Sequence, residues 1–311
     1  MACPSIQSFS RLCRQVCLIL TLFVVSQACS AKTILLVLSQ ETPVYLAYAQ
    51  AFRLDLGQRD KTVTVSVLRA DKLQDQPLPA AEMLVAVGND AAEMLSQREL
   101  HSPLLITMMP RESLEQLLPL QAHASGLYVD QPPNRYLSLV RAALPAARRI
   151  GILTGTDGRA TAHSLRRVAR QMHLAVHVET INSGNVLHSA LQHIFTRSDV
   201  LLAIPDATIF NRQTIPRIMM EAYRHNVPVV GFSPAYIDAG ALVALYSTPE
   251  QLALQSADIC HRVLSGSTIS GLNFPMQYTI GVNDHIAQSM NLAMDDETVI
   301  RARMTRQERQ Q

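Results

Sequence analysis

Thr33-Ile34-Leu35-Leu36-Val37-Leu38 is apolar at every position after the threonine. Continuous rather than alternating apolarity means burial on both faces, the situation of a strand in a parallel sheet covered by helices. The chain around it keeps the same grammar. A helix-like segment from about Val44 to Gly57 sets Tyr45, Tyr48, Ala49, Phe52 and Leu56 at helical spacing. Strands at Val63 to Leu68 and Met83 to Val87, a helix from about Asp90 to Gln97, and strands at Pro103 to Thr107 and Gly126 to Val129 complete this half. The alternation predicts an α/β protein with parallel sheets flanked by helices.

The pattern restarts near Arg148. A strand over 149–153 precedes a helix from about Ala160 to Met172; then come strand Ala175 to Val178, helix Val186 to Phe195, strand Val200 to Ile204, helix Gln213 to His225 and strand Val227 to Phe232. Ala86-Val87-Gly88-Asn89-Asp90, a helix and Ser102-Pro103-Leu104-Leu105-Ile106 can be laid over Ala203-Ile204-Pro205-Asp206-Ala207, a longer helix and Val227-Pro228-Val229-Val230-Gly231. Two similar lobes are expected. Asp130-Gln131-Pro132-Pro133 between them reads as a hinge strand, because consecutive prolines stiffen an extended connection. A third portion holds a strand at Ala241 to Tyr246, a helix from Pro249 to Leu264 ended by Gly266, a strand at Tyr278 to Val282 and a helix from Asp284 to Met290. The remainder, 293–311, with Arg301, Arg303, Arg306 and Arg309, reads as a polar, fraying tail without function.

Residues 1–31 have the order of a secretory signal peptide. Arg11 and Arg14 stand without an acid, an apolar run extends from Val16 to Val25, and the small-residue stretch Gln27-Ala28-Cys29-Ser30-Ala31 follows. A bilayer-spanning helix takes about twenty residues, so removal after Ser30 or Ala31 and a periplasmic, soluble product are expected. Cys29 offers a lipoprotein alternative, but that signal wants Leu three residues earlier, where this chain has Ser26. Of 27 basic and 25 acidic residues the leader holds two arginines and no acid, leaving 25 of each. A neutral chain gives no reason to expect nucleic acid as a partner. Only Cys260 of the five cysteines lies beyond the leader, so the mature chain has no internal disulfide and is held by its core.

In open parallel sheets ligands sit beyond the carboxyl ends of the strands. That rule nominates Ser39, Gln40 and Thr42 after the first strand, Gly88, Asn89 and Asp90 after the third, and Asp206 and Thr208, with Phe232 and Ser233, in the other lobe. Asn89, Asp90 and Asp206 could equally be helix N-caps. Asp206 is the sharpest candidate, as a carboxylate at a tight strand exit that could pair with a ligand amine. Catalytic readings fail. Gly231-Phe232-Ser233-Pro234-Ala235 approaches a nucleophile elbow, but its last glycine is missing and Pro234 lacks the amide that an oxyanion hole would use. Gly155 and Gly158 lie in a loop without the Gly-Lys-Ser/Thr ending of a phosphate loop. His173 and His177 lack the partners of a metal motif, and Met219, Met220 and Tyr223 read as core. Neither a cofactor nor a metal is expected.

The ensemble of Val85-Ala86-Val87-Gly88-Asn89-Asp90-Ala91-Ala92, the stretch Val200 to Asp206, Val227-Pro228-Val229-Val230-Gly231-Phe232-Ser233, Gly240-Ala241-Leu242 and Ile280-Gly281-Val282-Asn283 resembles the substrate-binding proteins of ABC transporters. The nearest group is the tryptophan or aromatic amino acid type, and the resemblance covers residues 33–292. It implies the type I periplasmic binding protein fold: two Rossmann-like lobes, 32–130 plus 240–274 and 131–239 plus 275–292, with a cleft between them. It further implies a non-enzymatic monomer that presents a small molecule to an inner-membrane permease. The alternative is a periplasmic module that reports its ligand to a membrane sensor. The chain departs from the family where Asn89-Asp90 replaces the usual Thr-Pro pair and Met109-Pro110 the usual Asp-Pro pair. Those positions line the family's cleft, which separates the fold from any carry-over of an amino acid ligand.

Overall fold

A computed structural model describes residues 32–308 apart from 75, 121–122, 182–186 and 270. The signal-peptide reading, and with it Cys29, lies outside the described residues. In chain order the strands are β1 (Lys32–Leu38), β2 (Val63–Arg69), β3 (Met83–Val87), β4 (Leu104–Thr107), β5 (Ala124–Leu127) and β6 (Arg149–Thr154). They continue with β7 (Ala175–Thr180), β8 (Val200–Leu202), β9 (Val229–Gly231), β10 (Val243–Tyr246), β11 (Leu272–Asn273) and β12 (Thr279–Val282). They form two six-stranded sheets, in the orders β11-β5-β4-β3-β1-β2 and β12-β10-β9-β8-β6-β7. Every pairing is parallel except β10 with β12.

The two-faced burial expected of β1 is met residue by residue. Ile34, Leu36 and Leu38 pack on one side with Tyr48, Phe52 and Leu56 of the helix Pro43–Arg59 and with Leu252, Ala257 and Cys260 of the helix Pro249–Leu264. Leu35 and Val37 face the other way, against Ala91, Ala92 and Leu95 of the helix Asn89–Ser96 and against Leu114. Each Leu, Ile, Val or Phe among them contributes about 1.5 to 3 kcal/mol on leaving water. The second sheet repeats this with Ile150, Ile152 and Leu202 on one side and Leu153, Leu201 and Ala203 on the other.

Four expectations need correcting. β10 belongs to the second sheet, so the chain returns to the first lobe only after Tyr246. The extended connection expected over 130–133 is shorter: Pro132 is extended at the N-cap position, but Pro133 already opens a helix, Pro133–Ala143, as suits a residue with a fixed φ and no amide. The polar tail is a helix, Glu297–Glu308, whose Ile300 and Met304 are completely buried in the second lobe. Met219 is core, but Met220 and Tyr223 are about half exposed. Helices Arg111–Leu117 and Pro234–Asp238 were not foreseen.

Candidate functional site

Parallel strands bring all the exits of one sheet to one edge, and the chain crosses between lobes after β5, β10 and β11. In the first lobe Ser39 is buried, and its Oγ accepts from the Ala91 amide at 3.0 Å. That hydroxyl, rather than Asn89 or Asp90, serves the start of the helix Asn89–Ser96, and both of those side chains are exposed. Gly88 holds the cap position at φ 89°, and a Cβ there would collide with the Tyr45 hydroxyl and Ser39 Oγ. Only glycine suits both that backbone and that space. Thr42 caps the helix Pro43–Arg59, accepting from the Tyr45 amide at 3.4 Å, while Gln40 is exposed.

In the second lobe Asp206 is neither an exposed cap nor a free carboxylate. It is 4% exposed. Oδ2 accepts from Gly155 N at 2.6 Å, Gly158 N at 2.9 Å and Thr154 Oγ1 at 3.3 Å, and Oδ1 accepts from Thr208 N at 3.1 Å and Ile209 N at 3.3 Å. The glycine-bearing loop that lacks a phosphate signature thus cradles an anion of its own chain. A Cβ at Gly158 would meet Thr154 Oγ1 and Asp206 Oδ2, so the close approach requires glycine there. Thr208 is exposed beside this cradle. Phe232 lies half-buried against Tyr236, with ring centres 4.5 Å apart, and Ser233 occupies the N-cap position of the helix Pro234–Asp238 at the β9 exit without a side-chain capping bond.

Sequence reasoning missed Glu112. It stands in the first turn of Arg111–Leu117, beyond β4. Its Oε2 is buried without a hydrogen-bond partner. Burial first, then the negative charges of Asp157 and Asp206 in the other lobe, raise its pKa. The one signal for this position was Met109-Pro110 just ahead of it. Below it, buried Asp130 accepts from the Arg111 amide at 2.7 Å, and burial raises its carboxyl to about 6. The groove of about 550 Å³ lined by Ser39, Asp71, Asp90, Glu93 and Arg98 lies within the first lobe rather than between the two. Among the described residues no helix is long and apolar enough to cross a membrane, and no group of three or more metal-ligating side chains converges.

The comparisons bear on this geometry. A comparison with curated proteins finds no match. Three solved structures share the fold at low identity. A ligand-free, open substrate-binding protein with adhesive properties from Clostridium difficile is 17% identical, with a TM-score of 0.70 over 85% of this chain and 96% of its own. A conserved domain protein from Vibrio cholerae is 18% identical, with a TM-score of 0.62 over 88% and 98%. An ABC domain from Streptococcus pneumonia in complex with L-Trp is 16% identical, with a TM-score of 0.61 over 88% and 98%. The model of the ABC transporter substrate binding protein family matches residues 79–306, well over half of the sequence. With its two α/β lobes built on mostly parallel sheets, this chain belongs to the ABC transporter substrate binding protein family, in its type I fold.

Proposed function

We propose that the chain is the periplasmic receptor of an ABC importer, and that it encloses a small polar molecule bearing a positive charge between its lobes and presents it to a membrane permease without chemical change. The observation that carries the ligand class is Glu112: a carboxylate with one buried, unpartnered oxygen, on which the negative charges of Asp157 and Asp206 from the other lobe act. A cationic group placed there would relieve the repulsion and supply the missing donor. Asp206 takes a supporting part, since its oxygens already hold the loops that frame the cleft. Ser39, Gln40, Thr42, Gly88, Asn89 and Asp90 from one side and Thr208, Phe232 and Ser233 from the other form the walls.

The molecule released by denaturing purified protein, identified by mass spectrometry, tests this directly. A neutral or anionic solute would overturn the ligand class. Glu112→Gln should weaken a cationic solute by about 1.5 to 3 kcal/mol, the usual contribution of a hydrogen bond to a charged group, with little change in melting temperature. Equal affinity in the two proteins would remove Glu112 from the site.

A further inference from the structure

The chain crosses between the lobes at 128–132, 247–248 and 274–278, and one set of polar groups ties the crossings together. Gln131 Nε2 donates to Ser247 Oγ at 2.8 Å, and Ser247 Oγ donates to the Gln277 carbonyl at 2.6 Å. Arg135 Nη1 donates to Gln131 Oε1 at 2.7 Å and to the Pro275 carbonyl at 2.8 Å. From the first lobe, Gln255 accepts from the Met276 amide at 2.8 Å and donates to the Phe274 carbonyl at 3.1 Å.

The helix Glu297–Glu308 closes on this knot from the second lobe. Completely buried Ile300 and Met304 root it in that lobe's core, and Arg303 donates to the Ala142 carbonyl at 3.1 Å. From this footing Glu308 Oε1 stands 3.5 Å from Arg135 Nε, and Arg301 Nη1 donates to the Tyr278 carbonyl at 3.1 Å. The guanidinium carbons of Arg135 and Arg301 lie 4.7 and 4.8 Å from the centre of the Tyr278 ring. The two cation–π contacts, with the hydrogen bond that the Tyr278 carbonyl accepts, add to chain connectivity in holding this crossing residue in place.

We infer that the helix Glu297–Glu308 is a brace on the pivot. It moves with the second lobe, grips the third crossing at Tyr278 and the first through Arg135, and so restricts the angles between the lobes. Its contacts lie on the crossings and not on the residues proposed to line the cleft. It therefore acts on the balance between open and closed forms, and loosening it changes the affinity for every solute by one common factor.

The restraint can be measured without a solute, so it stands or falls apart from the solute-binding reading. Spin labels on Glu93→Cys and Arg212→Cys, exposed positions in opposite lobes, report the interlobe distance distribution. Cys260 is fully buried and stays unlabelled. Arg301→Gln removes a stacked cation, and Tyr278→Leu removes the ring while keeping an apolar side chain. Each should broaden the distribution and move its mean. If Arg301→Gln does not fold, Tyr278→Leu decides alone, because it leaves the buried roots of the helix intact. Distributions of unchanged width and mean in folded variants would overturn the brace.

Discussion

The two lobes share a topology and secure their strand exits by different means. In the first, the work is spread over several groups, each holding one amide: Ser39 that of Ala91, Thr42 that of Tyr45 and Asp130 that of Arg111, while Gly88 makes the turn and Gln40, Asn89 and Asp90 stay exposed. In the second, a single buried carboxylate draws in amides from 155–158 and 208–209. An acid at a strand exit can thus be committed to its own backbone while a less conspicuous one, Glu112, keeps a buried oxygen without a partner. The site is asymmetric even though the frame is not.

The largest effect expected from this contrast is at Asp206. Asp206→Ala leaves several buried donors without an acceptor, at about 1 to 3 kcal/mol each, so urea denaturation should show a loss of about 4 kcal/mol or more. A loss below about 1 kcal/mol, the size of a simple cap, would erase the difference between the lobes.

Next comes Asp130, at the joint. Its carboxyl is raised from 3.8 to about 6 by burial, so the folded chain holds a proton that the unfolded chain releases. Its contribution to stability is therefore present below about pH 4, is lost as pH rises to about 6, and stays lost above that. At 1.36 kcal/mol per unit the loss is up to about 3 kcal/mol. Asp130→Asn, which still accepts from the Arg111 amide, should be the more stable protein at pH 7 by up to that amount, with the advantage vanishing towards pH 4. An advantage that does not vary with pH would refute the titration at this position.

Smaller effects belong to the first lobe. Gly88→Ala meets both a left-handed backbone and the Tyr45 hydroxyl, and a loss of about 1 to 3 kcal/mol is expected from such strain. Ser39→Ala should cost about 1 kcal/mol, as for a lost helix cap. If thermal melts place Ser39→Ala level with Asp206→Ala, the lobes are secured alike after all.

The strands were legible because burial on both faces writes itself as continuous apolar runs, as at 33–38 and 83–87. Three of the helices that escaped notice share a cause. Arg111–Leu117, Pro133–Ala143 and Pro234–Asp238 each begin at or directly after a proline, and proline suits a first helical turn as well as an extended linker. The last helix hid because Ile300 and Met304 are its only completely buried apolar side chains in a charged stretch. Sheet membership of β10 depends on pairing with Val230 and Gly231 and with β12, a long-range choice that its own sequence does not encode. At the site, local rules found the strand exits but not their use. The donors that occupy Asp206 come largely from a loop some fifty positions earlier, and Glu112 was hidden with its helix.

The interleaving of the two lobes bears on how the chain is made. Leu252, Ala257 and Cys260 complete the first core, and Ile280, Ile300 and Met304 complete the second. Neither lobe corresponds to an uninterrupted stretch of sequence, so a ribosome that has delivered the first two hundred residues has not yet finished either one. Until the last portion emerges, the nascent chain carries open apolar sheets that cannot close. It would have most need of a chaperone during that interval.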